Sequence, residues 1–151
     1  MTLPLGKPIR LTVLSDPAHL PLVRCMVERV CEMAGFDAAG AHRIMLSVDE
    51  AMTNIIRHAY DGDTHQPIDV EFSIEAHDDG CECLRIRLRD YGRREDPARI
   101  RSRDLQDVRP GGLGVHIIKE CMDSVQYEPA EGGGTALTLM KSIPGKEQMT
   151  S

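Results

Sequence analysis

The sequence predicts an α/β protein: a two-layer sandwich in which a mixed, largely antiparallel sheet carries its helices on one face. Some stretches repeat apolar residues every three or four positions, as amphipathic helices do, and others alternate apolar with polar residues, as half-buried strands do. The predicted order is strand, two helices, two hairpin strands, loop, helix, two strands. Because the sheet and each helix have one apolar face, two packed layers bury both.

The first half of the chain predicts one strand and two helices. Alternation over residues 9–13 indicates the strand, and an apolar stripe over 18–33 indicates a helix that Gly35 can end in a left-handed conformation. Asp37 can then cap a second, longer helix, whose core-facing stripe runs to about Ala59.

The second half of the chain predicts four strands and one helix. Between the second and third of these strands, the segment 90–110 has no apolar period and is highly charged, with six arginines and two prolines. We expect this segment to be a mobile loop and call it the lid. The expected elements are a hairpin of strands over 68–74 and 84–88, a helix over 115–122, and strands over 124–127 and 135–141.

Composition limits the class of protein. The 151 residues are 41% hydrophobic, which suits a single domain over 1–151 with a flexible tail over 144–151. A net charge of -6 offers no basic surplus for nucleic acid or for an anionic membrane. No apolar run reaches the ~18 residues of a membrane span, and the N-terminal stretch lacks the apolar core of a secretion signal. We therefore expect a cytoplasmic protein.

Five cysteines, an odd number with no C-x-x-C pair, predict reduced and mostly buried thiols. Cys25 and Cys31 fall within the apolar pattern of the first helix. Cys81 and Cys83 are two residues apart in a predicted strand, so both sulfurs should lie on one face. A metal site at these two cysteines is the alternative interpretation.

A polar stripe lies beside the apolar stripe of the second helix. Ser47, Glu50, Asn54 and Arg57 follow one another at spacings of three, four and three residues. A carboxylate and an amide one turn apart offer a proton acceptor and an oxygen ligand for a hard cation such as Mg²⁺. A solvated helix face explains the same spacing.

Three glycine motifs complete the candidate site. Asp90 and Gly92 follow a strand, where a carboxylate can accept from an exocyclic amine and a glycine lets backbone approach a flat ring. Gly112 and Gly114 precede an apolar helix, whose free N–H groups suit a phosphate. Thr135 follows three glycines and can reach the ligand that Asp90 holds. A plain turn, a hinge and a tight hairpin are the respective structural alternatives.

In this order, the motifs resemble the asparagine box and three glycine boxes of the ATP-binding superfamily of sensor histidine kinases, DNA gyrase, heat-shock chaperones and mismatch-repair ATPases. The stretches VDEAMTNIIRHAY, RDYG, GGLGVHIIKECMD and GGGTALTLMK are most similar to the small serine kinases that act as bacterial anti-sigma factors, over roughly 8–142. The resemblance implies a histidine-kinase-like (Bergerat) fold with ATP and Mg²⁺ as cofactors.

The resemblance also implies residue roles. They are Glu50 as general base, Asn54 as Mg²⁺ ligand, Asp90 as acceptor of the adenine amine, Gly92 for the approach of the ring, Gly112 and Gly114 at the phosphates, and Thr135 as the adenine-side hydroxyl. Arg94 stands where the family often has a further glycine, which puts the shape of the lid hinge in doubt.

The implied function is a serine/threonine protein kinase that phosphorylates an anti-sigma-factor antagonist and that can alternatively grip a sigma factor. The family often forms homodimers. Two alternatives stay open: a nucleotide-gated binding module with little turnover, and the catalytic ATP-binding domain of a histidine kinase. Arginines of the lid either hold the γ-phosphate or an acidic partner, or are neutralised by acids of the same loop.

Overall fold

A computed structural model of the protein describes residues 3–92 and 113–145, the first three residues of the second range as backbone only. The elements are β1 (Ile9–Leu14), a 3-10 turn (Pro17–His19), α1 (Leu20–Ala34), α2 (Ala38–Asn54), a π-helical segment (Ile55–Ala59), β2 (Pro67–Ala76), β3 (Glu82–Arg89), α3 (Leu113–Cys121), β4 (Ser124–Pro129) and β5 (Thr135–Ser142).

The strands form one sheet in the order β1-β2-β3-β5-β4, and every neighbouring pair is antiparallel. An isolated parallel bridge joins Leu5 to Ile74 outside the named strands. The predicted α/β class and element order are confirmed, with the sheet itself more uniformly antiparallel than expected. Among the described helices, none is long and apolar enough to cross a membrane.

The core lies between one face of the sheet and the helices. Alternate residues of the central strands point into it, together with the apolar stripes of the helices, and α2 packs against both α1 and α3. Its fully buried members include Phe72, Ile44, Met52, Ile68, Leu84, Ile86, Leu88, Ile118, Leu139, Val23, Val27 and Val30. Burying one such side chain contributes roughly 1.5–3 kcal/mol, so this contact surface holds the helices to the sheet.

The opposite face of the sheet is polar. Arg10 lies opposite Glu71 in the strand register and pairs with it at 2.8 Å, and Arg85 reaches Glu71 at 3.6 Å and Glu75 at 3.5 Å. Exposed pairs of this kind contribute only about 0–1 kcal/mol each. Because these charged pairs keep this face of the sheet hydrated, the described helices pack on the other face alone.

The junction between α1 and α2 follows the predicted signals. Gly35 takes a φ of 98° and its N–H donates to the carbonyls of Cys31 and Glu32. Two residues later, the Asp37 carboxylate accepts the Gly40 N–H at 2.7 Å, which caps the second helix. Both predictions are confirmed, and together they set the position of α2.

The second helix departs from the prediction at its end. An α-helix to about Ala59 was expected, but α2 ends at Asn54 and the chain widens into π geometry over Ile55–Ala59. The Tyr60 N–H donates to the Ile55 carbonyl, five residues back, at 3.1 Å. One wide turn inserts a residue and rotates everything after it, and such turns are frequent at functional sites. A five-residue segment is too short for its apolar period to reveal this.

The cysteines differ in their exposure. Cys31 and Cys83 are buried and Cys121 is partly buried, but Cys25 and Cys81 are exposed, so the prediction of mostly buried thiols is wrong for these two. Cys25 lies on the outer side of α1, and Cys81 precedes β3 in the turn. Its sulfur therefore does not share the environment of Cys83, and no metal-binding cluster occurs among the described residues.

Candidate functional site

Glu50 and Asn54 lie one turn apart on α2, and both are partly exposed. A spacing of four residues puts two side chains on the same face of a helix. Within 3–92 and 113–145, neither side chain takes part in a hydrogen bond or an ion pair. The carboxylate and the amide oxygen are therefore available to a ligand.

The rest of the predicted polar stripe is different. Ser47 is fully buried and its hydroxyl donates to the Arg43 carbonyl at 3.1 Å, four residues back, as a serine within a helix often does. Arg57 is exposed, but it lies in the π-helical segment, where the three-residue spacing no longer defines a face. The predicted four-residue stripe thus reduces to Glu50 and Asn54.

The neighbouring carboxylate, Asp49, is already engaged. Its Oδ1 accepts the Arg24 Nε at 2.8 Å, which ties α2 to α1. The Asp49 carboxylate raises the pKa of the Arg24 guanidinium through this hydrogen bond and its charge. Of the two adjacent acids, Glu50 is the one left without such a partner in the described structure.

Asp90 lies where β3 ends and is only 5% exposed. Its Oδ1 accepts two backbone N–H groups, from Gly92 at 3.0 Å and from Thr135 at 3.3 Å. The Asp90 N–H in turn donates to the Thr135 carbonyl at 3.0 Å. The structure therefore brings Asp90, Gly92 and Thr135 together, with two bonds to the carboxylate and one to the Asp90 backbone.

Two glycines allow close backbone packing here. A Cβ on Gly92 would stand 3.0 Å from the Ala59 carbonyl carbon, at the end of the π-helical segment. A Cβ on Gly134, whose φ is 80°, would stand 2.7 Å from the Asp90 carbonyl carbon. Gly92 thus lets the Asp90 loop approach the end of the π-helical segment, a role that the sequence motif did not indicate.

Arg89 was not singled out by any pattern, yet it organises the same edge. Its Nη2 donates to the Glu131 carbonyl at 2.5 Å and lies 3.5 Å from the Gly133 carbonyl. Its guanidinium carbon stands 4.3 Å from the centre of the Tyr91 ring, a cation–π distance. Arg89 therefore ties the end of β3 to the turn between β4 and β5.

Tyr60 is a second residue that the patterns missed. It is 7% exposed, donates to the Pro67 carbonyl at 2.6 Å and accepts the Tyr91 N–H at 2.7 Å. Burial, with smaller contributions from nearby groups including Asp90, raises the pKa of the phenol. The available signal was a tyrosine at the end of an apolar helical stripe, because a buried phenol needs a hydrogen-bond partner.

The predicted phosphate loop is described in part. Gly114 is the second residue of α3, the helix that packs against α2. The first turn of a helix has unsatisfied N–H groups and a partial positive charge, which suit a phosphate. Gly112, Arg94 and the lid from residue 93 onward lie outside the described residues.

Mg²⁺ would fit this donor set. The ion keeps several waters, prefers oxygen ligands, and is usually held by one or two carboxylates together with phosphate oxygens of the substrate. The amide oxygen of Asn54 would supply one protein oxygen to such an ion, with phosphate and water oxygens completing its coordination.

Comparison with known proteins gives the family. The histidine kinase-like ATPase domain matches residues 13–141. The serine-protein kinase RsbW of Listeria innocua is 29% identical over 139 residues, which cover 86% of this chain and 85% of the relative. RsbW of Halalkalibacterium halodurans is 28% identical over 148 residues, 92% of this chain and 85% of the relative.

Solved structures agree on the fold. The RsbU and RsbW domains of Rv1364c from Mycobacterium tuberculosis match with a TM-score of 0.62 and 19% identity, over 93% of this chain but only 34% of that longer one. A chain of the SiaB–SiaC complex from Pseudomonas aeruginosa matches with a TM-score of 0.60 and 13% identity, over 89% and 88% of the two chains. As its motifs predicted, the chain belongs to the histidine kinase-like ATPase domain family.

Proposed function

We propose that the protein is an ATP-dependent serine/threonine protein kinase that acts as an anti-sigma factor and phosphorylates an anti-sigma-factor antagonist. The observation that carries the proposal is the contact between Gly92 and Ala59. It joins the loop of the buried Asp90 carboxylate to the π-helical segment that continues the helix bearing Glu50 and Asn54. This contact supports a site in which nucleotide recognition and phosphoryl transfer would share one region of the fold, as a member of an ATPase family requires.

ATP would be recognised through its base at Asp90. The carboxylate would accept the adenine amine, and Thr135 would offer its hydroxyl from the adjacent strand. Asp90 is well suited to this role because its Oδ1 is held by two backbone N–H groups while the side chain is 5% exposed. The backbone N–H groups around Gly112 and Gly114 would hold the phosphates at the start of α3.

Asn54 would provide the protein ligand to Mg²⁺. The ion neutralises charge on the phosphate oxygens during transfer. Asn54 is the last residue of α2, and its side chain has no capping hydrogen bond there. The π-helical segment that follows Asn54 leads the chain to the Asp90 loop. The proposed Mg²⁺ ligand and the proposed adenine acceptor would therefore be held by the same part of the fold.

Glu50 would act as general base. It lies one turn before Asn54, roughly 6 Å along the helix axis. A carboxylate at that spacing would take the proton of an incoming serine or threonine hydroxyl as that oxygen bonds to the γ-phosphorus and the bond to the β–γ bridging oxygen breaks, releasing ADP. The engagement of Asp49 with Arg24 supports Glu50 as the base rather than its neighbour.

The names of the similar proteins support a protein substrate. The curated relatives are serine-protein kinases, and one similar chain was solved in a complex of two proteins. We extend this to a small antagonist protein phosphorylated on serine or threonine. A sigma factor is the proposed second partner, and a homodimer the proposed assembly, both on the family resemblance.

The test is transfer of the γ-phosphate. The purified chain is incubated with γ-labelled ATP and Mg²⁺ and with each antagonist-like protein encoded beside its gene, with EDTA as the metal-free control. We expect label on a serine or threonine of one antagonist, and none with EDTA. Tight ATP binding with no transfer to any antagonist would reject the kinase in favour of a nucleotide-gated binding module.

A further inference from the structure

The phenol of Tyr60 sits between the second helix and the proposed adenine site. The residue follows the π-helical segment directly, and its own N–H closes the wide turn on the Ile55 carbonyl at 3.1 Å. The ring is 7% exposed and belongs to the apolar core. The wide turn therefore sets where the phenol oxygen comes to lie.

That oxygen has two backbone partners of opposite kind. It donates its proton to the Pro67 carbonyl at 2.6 Å, at the start of β2, and it accepts the Tyr91 N–H at 2.7 Å. Both are short, direct bonds within part-buried surroundings. A phenylalanine here would leave the Tyr91 N–H and the Pro67 carbonyl without these partners.

The Tyr91 N–H belongs to the peptide bond that follows Asp90. The Asp90 side chain is tied to Gly92 and Thr135, and the phenol adds an anchor from the helix layer. The loop is thus held from both layers of the sandwich. Loss of the phenol bond frees the side of the loop that faces the second helix.

The position of this carboxylate decides which base fits. Adenine presents an amine donor at its six-position, whereas guanine presents a carbonyl acceptor there. A site built to receive a donor rejects the analogue that lacks it, provided that the acceptor is held in place. A loosened carboxylate therefore costs the adenine nucleotide more than the guanine nucleotide.

We infer that Tyr60 is a positioning residue: its hydroxyl fixes the Asp90 loop and thereby sets the preference for ATP over GTP. The inference rests on the proposed nucleotide site at Asp90. It adds the residue that follows the π-helical segment to the recognition of the nucleobase. It also gives that segment a role, which is to bring the Tyr60 phenol within hydrogen-bond distance of the Tyr91 N–H.

The experiment compares Tyr60→Phe with the wild-type protein in titrations with ATP·Mg²⁺ and GTP·Mg²⁺. We expect ATP affinity to fall about 5- to 50-fold and GTP affinity to change less than about twofold. The ratio of ATP affinity to GTP affinity should therefore fall almost as much as the ATP affinity itself. A general loss of stability would lower both affinities together and leave this ratio unmoved. Ser15→Ala, which removes a buried hydroxyl that likewise joins a backbone carbonyl (Asp63) to a backbone N–H (Gln66), is the matched control and should keep the wild-type ratio.

Each outcome of these titrations either supports or overturns the inference. A folded Tyr60→Phe protein with an unchanged ATP-to-GTP ratio overturns the inference, and the proposed site survives if Asp90→Asn still abolishes ATP binding. If Asp90→Asn leaves ATP binding unchanged as well, the proposed site itself is wrong. Should Tyr60→Phe fail to fold, amide exchange of the nucleotide-free wild type decides: a protected Tyr91 N–H supports the anchor, and a freely exchanging one overturns it.

Discussion

The proposed specificity for adenine depends on one buried carboxylate, that of Asp90. Its Oδ1 is committed to two backbone N–H groups, and the residue is 5% exposed. A carboxylate accepts hydrogen bonds at both oxygens, whereas an amide in the same place presents a donor on one side. The site therefore depends on the chemical identity of this side chain and not only on its shape.

Asp90→Asn should nearly abolish ATP binding. The amide would set a donor against a donor, either the adenine amine or a backbone N–H, and each mismatched buried group costs about 1–3 kcal/mol. Isothermal titration with ATP·Mg²⁺ measures the loss, and circular dichroism shows whether the variant is folded. Unchanged affinity in a folded variant would remove Asp90 from the site.

Cys31 makes a prediction about alkaline pH. Burial raises the pKa of its thiol from 9.0 to about 12. Because the folded value is the higher one, the stabilisation is fully present below pH 9 and is lost as the pH rises toward 12, by up to about 1.4 kcal/mol per pH unit. Urea unfolding of Cys31→Ala at pH 8 to 11 should show a shallower decline than the wild type.

Cys25→Ala is the matched control for that series, because Cys25 lies on the same helix but is exposed. Its stability should decline with pH as steeply as that of the wild type. Equal slopes for the wild type and Cys31→Ala would contradict the assigned burial effect.

The sequence predicted the ends of the helices correctly where a single residue type determines the backbone conformation. Gly35 ended α1 in the left-handed region, and Asp37 capped α2, as their residue types indicated. The π-helical segment Ile55–Ala59 could not be predicted in this way. Its residues are ordinary helix formers, and the bond that closes the wide turn, from the Tyr60 N–H to the Ile55 carbonyl, leaves no trace in the local pattern.

Gly92→Ala tests the contact between the second helix and the Asp90 loop. The added Cβ would lie 3.0 Å from the Ala59 carbonyl carbon and 3.1 Å from the Ala59 Cβ, so backbone must move apart. We expect about 1–3 kcal/mol of lost stability in urea unfolding, together with weaker ATP binding, because the displaced loop carries Asp90.

Gly80→Ala separates the two effects. Gly80 lies in the turn between β2 and β3 with a φ of 84° and open space around its Cα. A side chain there strains the backbone by roughly 1–2 kcal/mol without touching the site. This variant should lose stability and keep its ATP affinity. A similar loss of affinity in both variants would show that stability alone explains the Gly92 effect.

The whole molecule joins residues that are distant in sequence. Periodicity identified the two layers and the shared face of Glu50 and Asn54, and the motifs identified Asp90 and Thr135 separately. That Thr135 touches Asp90 through its backbone follows from the pairing of β5 with β3. Arg89 and Tyr60 escaped detection because their partners are carbonyls and N–H groups of other segments, and a sequence shows no such partners.

The central claim is that this assembly transfers a phosphoryl group with Glu50 as the base. Glu50→Gln keeps the size of the side chain and removes its basicity, and a positioned general base contributes typically ~10²–10⁴-fold in rate. Asn54→Ala serves as the comparison, since it should weaken Mg²⁺-dependent ATP binding as well.

The most direct measurement is single-turnover transfer from γ-labelled ATP to the antagonist, in the wild type and in Glu50→Gln at saturating ATP·Mg²⁺. We predict ATP affinity within a few-fold of the wild type and a transfer rate lower by roughly 10²–10⁴-fold. Undiminished transfer by Glu50→Gln would contradict this role and would move the base to Asp49, to Asp61 in the turn after the π-helical segment, or to the substrate itself.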